Sequence, residues 1–144
     1  PSADVRFATP DSRFGIPAAK LGLGYEYEGL AKLARLVGPS RARDIMFSAR
    51  FMPAREALDM GLINFIEERD DIEGACVSYA KTIAENAPLT VKAAKAAINA
   101  WERGSRTEEV NAVRAMVDAC FDSEDYREGR KAFAAKRKPE FKNR

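Results

Sequence analysis

The sequence contains no histidine. That absence removes the commonest catalytic base, the commonest zinc ligand, and any Ser-His-Asp or Cys-His nucleophile system. Cysteine is scarce as well. Cys76 and Cys120 are the only two, and they form neither a metal-ligand spacing nor a disulfide framework, so no metal is expected. Such thiol usage fits a reducing compartment, and a cytoplasmic location is the expectation. No uninterrupted apolar run approaches the roughly 20 residues a membrane helix needs, so no membrane partner is expected. If this chain takes part in chemistry, carboxylates or backbone amides must do it. An initiating methionine and a signal-peptide pattern are missing ahead of Pro1-Ser2, so the chain is not expected to begin where its gene does.

The 144 residues suit one globular domain by length, and the 46% hydrophobic content excludes low-complexity and fully disordered readings. Charge is close to balance but unevenly placed. Residues 125–144 hold eight basic and three acidic side chains, a net of +5, which leaves −3 for the remainder of a chain that is +2 in all. A basic tail of this kind can meet phosphate groups on a cofactor, a nucleic acid or a membrane, or it can be a solvated helix face.

Along the chain, Val5–Thr9 and Arg13–Pro17 alternate apolar and polar residues as short strands do, with a turn at Thr9-Pro10-Asp11-Ser12 between them. Leu30, Leu33, Leu36 and Val37 then recur at helical spacing. Gly38-Pro39-Ser40 ends that helix and opens another, whose inward residues are Ala42, Ile45, Met46 and Ala49. Pro53 is placed in the first turn of a short helix that Gly61 terminates, and Leu62–Ile66 reads as a buried strand. From Asp70 onward strand signals vanish. Helix faces are expected from Ile72, Cys76, Tyr79 and Ile83, from Val91, Ala94, Ile98 and Trp101, and from Val110, Val113, Val117, Cys120 and Phe121, the last opened by a capping box from Ser105 to Glu108. The organisation is mixed α/β over 1–68 and all-helical over 69–144. Two or three strands without partners cannot make a self-sufficient sheet.

In register, Phe14-Gly15-Ile16-Pro17, Leu21-Gly22, Gly29, Leu33, Arg35, Val37 and Gly38 resemble the enoyl-CoA hydratase/isomerase family, the crotonase superfamily. Ala54-Arg55-Glu56-Ala57 and Met60–Asn64 continue the match. So do Ser123-Glu124-Asp125, Glu128-Gly129, Ala132-Phe133 and Lys136–Phe141. The resemblance implies an α/β fold of which this chain is the C-terminal half: residues 1–68 close a ββα spiral, and 69–144 form the helical region for trimerisation and CoA contact. Most strands, the oxyanion-hole amides and a first catalytic glutamate would then lie in the other half.

What the resemblance implies for chemistry is stabilisation of a thioester enolate by backbone N–H donors, followed by hydration or double-bond isomerisation of an acyl-CoA thioester in fatty acid metabolism. No cofactor is implied beyond the coenzyme A of the substrate, and the expected assembly is a homotrimer or a dimer of trimers. At the position of the family's second glutamate stands Ala18, and a methyl group moves no proton. Glu26 falls where dienoyl-CoA isomerases and a chlorobenzoyl-CoA dehalogenase place a functional aspartate. A helix N-terminus would favour its anion and a role as base or nucleophile, whereas burial beside an acyl chain would favour a neutral acid. Glu26 and Glu28 could equally complement the helix dipole from solvent. Tyr25 and Tyr27 could line an acyl pocket or simply pack. Phe133 and Lys136 match family positions that meet the adenine and phosphates of CoA, with core packing the alternative for Phe133. A non-catalytic CoA-binding or oligomerisation module is the rival reading. Nucleic-acid binding fits poorly, since the basic tail lacks interleaved aromatics beyond Phe133 and Phe141.

Overall fold

Residues 3–144 are described in the computed structural model, and the expectation drawn from Pro1-Ser2 lies outside them. The chain divides into two compact units, Pro1–Val77 and Ser78–Arg144. The division falls inside a helix, a few residues later than the change from mixed to all-helical structure near residue 68.

The first unit carries four strands of two residues each. β1 (Phe7–Ala8) runs parallel to β4 (Phe65–Ile66), with Phe7 opposite Phe65 and the two rings stacked at 4.7 Å. β2 (Arg13–Phe14) runs antiparallel to β3 (Met52–Pro53). The strands expected over Val5–Thr9 and Arg13–Pro17 shrink to Phe7–Ala8 and Arg13–Phe14, and further details differ from the sequence expectation. The strand expected over Leu62–Ile66 is confined to its last two residues, because the Leu62 and Ile63 amides still donate to the Ala57 carbonyl as the preceding helix unwinds. Pro53 ends β3 in extended backbone and caps α3 (Ala54–Asp59) instead of entering its first turn.

Helices α1 (Tyr27–Val37) and α2 (Pro39–Ser48) are separated by one residue. Gly38 serves as the end of one and the start of the other at φ 84° and ψ 153°, a backbone region in effect reserved for glycine. Its amide donates to Ala34 and its carbonyl accepts from Ala42. Pro39 then starts α2 at the position where its missing N–H costs nothing. The apolar faces of both helices close over Met52, Ala54, Ala57, Met60 and Ile63, with Leu33, Val37 and Ile45 as their largest buried contributions. Beneath α2, Arg50 pairs with Asp44 at 2.7 Å and with both carboxylate oxygens of Glu56, which ties α2 to α3 and holds the Glu56 carboxyl below its usual range.

The second unit holds the end of α4 (Ile72–Ala84), then α5 (Pro88–Glu102), α6 (Thr107–Asp122) and α7 (Glu124–Ala134). Its buried apolar residues are small: Ala93 and Ala100 of α5 and Ala132 of α7. The face expected to be the core side of α5 is turned outward, with Ile98 59% and Trp101 66% exposed. Alanine packing brings backbones together and leaves the bulky stripe uncovered within the unit. The capping box expected at Ser105 is not formed. Gly104 and Ser105 both take left-handed backbone, and their amides donate to Trp101 and Ala100 to close α5, so Arg106 stands at the cap of α6. The side-chain cap occurs one helix later. Ser123 Oγ accepts the Tyr126 amide at 3.0 Å and donates to the Cys120 carbonyl at 2.6 Å.

Candidate functional site

In the first unit, Pro17 opens a 3-10 turn over Pro17–Leu21 that buries Ala18. The Ala18 carbonyl accepts the Leu23 amide at 3.0 Å, which turns the chain into the exposed stretch ahead of α1. Ala18 and Tyr25 share a hollow of about 400 Å³ with Leu23, Leu30, Met46 and Phe47. Arg43 is its single charged wall residue, and no carboxylate lines it. Tyr25 leans on Gly29, where a Cβ would stand 3.0 Å from its ring, so a larger residue at 29 would push the ring away.

Glu26 occupies the N-cap of α1, exposed, with its carbonyl accepting the Leu30 amide and no cap hydrogen bond from its side chain. Glu28 sits in the first turn of the same helix and is also exposed. Neither carboxylate lines the hollow that Ala18 and Tyr25 share. Tyr27 points to solvent as well.

In the second unit, Phe133 is 88% exposed. Within this unit it does not pack in the core. Its ring borders an apolar hollow of about 650 Å³, along with Leu89, Ala93, Phe121 and Phe141. Lys136 lies just beyond the end of α7 in left-handed backbone at φ 52°. Its amide donates to the Phe133 carbonyl and that of Arg137 to Ala132, the paired bonds of a helix C-terminal motif that normally carries glycine there.

From that turn the tail runs back along α7, and two acids meet it. Arg137 makes a bidentate pair with Glu128 at 2.6 and 2.9 Å, and the Glu140 amide donates to the same carboxylate at 3.0 Å. Arg137 first, then that amide, hold the Glu128 carboxyl down at about 2. Asp125, 2% exposed, accepts the amides of Lys142 and Asn143 at 2.6 and 2.8 Å, and its own amide donates to the Arg144 carbonyl. Sequence reasoning quoted Ser123-Glu124-Asp125 and Glu128 as matching residues without giving them a task. Their sequence signal is confined to the Ser123 cap ahead of the acids, since the burial of Asp125 is visible only in the structure.

Among the described residues, no group of three or more acidic, cysteine or histidine side chains could hold a metal ion, and no helix is long and apolar enough to cross a membrane.

The first unit is mixed α/β with a Gly38 hinge between α1 and α2, and the second is helical. Residues 2–144 match the family model described as enoyl-CoA hydratase/isomerase, and the chain belongs to that family. It is 38% identical over 147 residues to a short-chain-enoyl-CoA hydratase of Clostridium acetobutylicum, an alignment covering 99% of this chain and 55% of that one. It is 32% identical to a methylmalonyl-CoA decarboxylase of Escherichia coli, over 97% of this chain and 54% of the other. A solved enoyl-CoA hydratase/isomerase family protein from Hyphomonas neptunium superposes with a TM-score of 0.86 at 34% identity, covering 99% of this chain and 54% of that one. The chain thus spans about half the length of the curated relatives it matches.

Proposed function

We propose that this chain is the C-terminal half of an enzyme that acts on a short-chain acyl-CoA thioester in the cytoplasm, by hydration or double-bond isomerisation through an enolate. The observation that carries the reading is an aromatic ring left 88% exposed at Phe133, one helical turn from Lys136 on a basic segment. An exposed ring and a cation at that spacing suit the adenine and phosphates of coenzyme A. The name of the Clostridium relative supports the short acyl chain.

In this reading the thioester oxygen is held by backbone amides in the part of the family domain that this chain does not span. Those donors stabilise charge as the enolate develops. The Ala18 methyl leaves the usual second-glutamate position without a proton carrier, and the hollow it shares with Tyr25 receives the acyl chain. Glu26 then takes or delivers the proton at the substrate carbon from the helix N-terminus, with Glu28 the lesser candidate. The bulky exposed stripe of the second unit, with Ile98 and Trp101, supports assembly into a homotrimer or dimer of trimers.

The test is Glu26→Gln in the full-length protein, assayed with a short-chain 2-enoyl-CoA. Turnover should fall by a factor of about 100, the scale of a lost general base, while affinity for the CoA ester stays nearly intact. Unchanged turnover would sink the role of Glu26. A second reading, a CoA-binding or oligomerisation module without catalysis, is favoured by one observation: Ala18 and its neighbours offer no carboxylate to the hollow. It would stand if the full-length protein bound CoA esters and converted none.

A further inference from the structure

The C-terminal segment is fastened far more heavily than a solubilising tail requires. Arg137 and the Glu140 amide are held by Glu128, and the Lys142 and Asn143 amides by Asp125. Lys138 pairs with Glu85 at 2.7 Å and Arg144 with Glu124 at 3.0 Å. The Phe141 ring lies over Gly129, where a Cβ would meet it at 3.5 Å. Anchors thus recur along the whole segment from 137 to 144. Asp125 is the more telling of the two acids, since a carboxylate buried to this degree is rare without a defined set of donors. Here the donors are two backbone amides from residues 17 and 18 positions away, so the acid specifies a path for the chain.

At the other end of that path sits Lys136, a lysine in the left-handed conformation that glycine usually supplies. Such a conformation persists when the surrounding structure over-determines it. The Arg137–Glu128 fork on the next residue does so, because it pulls the chain back along α7 directly after the turn.

We propose that Asp125 and Glu128 are positioning residues for coenzyme A: they clamp residues 137–144 along α7 and thereby fix Lys136 and Phe133 as one preformed surface. The proposal rests on the reading that Phe133 and Lys136 meet CoA, and adds the residues that hold them ready. Neither acid touches the substrate. A preformed surface binds without first ordering the tail, so the clamp acts on affinity and leaves the chemical step alone.

The experiment compares Glu128→Gln and Asp125→Asn with Lys136→Ala and Phe133→Ala in the full-length protein. Two measurements are made: kcat and KM with a short-chain 2-enoyl-CoA, and hydrogen exchange at the amides of Glu140, Lys142 and Asn143. Loss of a charged hydrogen bond of this kind predicts about a tenfold rise in KM and in tail exchange, with kcat within about twofold. Glu128 lies near the surface, so its variant keeps the test open if Asp125→Asn fails to fold. The exchanged pair Glu128→Arg with Arg137→Glu should recover much of the KM. The proposal is overturned if tail exchange is unaltered, or if it rises while KM stays put and Lys136→Ala still raises KM. If Lys136→Ala and Phe133→Ala also leave KM unchanged, the CoA reading itself falls and takes the positioning role with it.

Discussion

The two units are built on opposite terms. Unit 1 closes a core of large side chains: Met52 is 0% exposed, and Leu33, Val37, Ile45, Met60 and Ile63 are buried with it. Unit 2 buries three alanines, a serine and an aspartate, with no large apolar side chain among its fully buried described residues, while both units leave bulky residues exposed. The first unit is therefore held by apolar transfer out of water. The second leans on directional contacts: a Ser123 cap, the two acids on the tail, and close helix packing through alanine. Apolar burial is tolerant of direction, whereas a hydrogen bond fixes one geometry. The unit that carries the residues proposed for CoA is the one specified by geometry.

Core truncation breaks this comparison most sharply. Met52→Ala removes a buried side chain from unit 1 and should cost about 2–5 kcal/mol, read as a lower urea midpoint of the full-length protein. Ile98→Ala in unit 2 should stay within about 0.5 kcal/mol, as surface substitutions do. Equal losses at the two positions would remove the distinction. A loss at Ile98 that grows with protein concentration would sharpen it, since it would show that stripe to be covered by assembly.

Acid probes both units, since Arg50 holds down the Glu56 carboxyl of unit 1 as Arg137 holds down that of Glu128 in unit 2. Glu128 ionises near 2 in the folded chain, against an ordinary value of 4.5, because Arg137 and the Glu140 amide favour its anion and Lys131 adds to them. The unfolded chain therefore takes up this proton first as pH falls. The stabilisation is complete above about 4.5 and is lost progressively down to about 2. The Glu140 amide resonance should titrate with the low midpoint in NMR spectra, and Glu128→Gln should abolish that step. A midpoint near 4.5 would mean that the fork with Arg137 is not maintained in solution.

Much of unit 1 was legible from residue order. Gly38-Pro39 marks a helix boundary by conformational necessity, and Leu33, Val37, Ala42 and Ile45 lie on the sides that face inward. Ala18, which the family resemblance singled out, is buried in the turn that Pro17 opens. Unit 2 was harder to read for a physical reason. Periodicity at Val91, Ala94, Ile98 and Trp101 marks an apolar stripe, but periodicity does not say what covers it, and within the unit nothing does. The capping box at Ser105 lost to a competing use of the same residue, as the end of the preceding helix. The return of the tail onto Asp125 has no periodic signature at all, because a side chain accepting from distant backbone amides leaves no mark in the spacing of residue types. Glu26 and Glu28 were placed correctly at a helix start, yet their separation from the hollow beside Ala18 depends on three-dimensional packing.

The smallest effect bears on why a lysine occupies a glycine position. Left-handed backbone costs a non-glycine residue roughly 1–2 kcal/mol, and a glycine there avoids that cost. Glycine also frees the unfolded chain, which takes back part of the gain, so Lys136→Gly should stabilise unit 2 by no more than about 1 kcal/mol. Thermal unfolding should detect the rise, and the same variant should bind CoA esters less tightly through loss of the cation. Opposite signs for stability and affinity would identify Lys136 as a residue kept in a strained turn for its charge. Stability that falls instead would mean that the Lys136 side chain supports the fold, and the contrast between the units would then extend to their surfaces: even the exposed cations of unit 2 would be part of what holds it together.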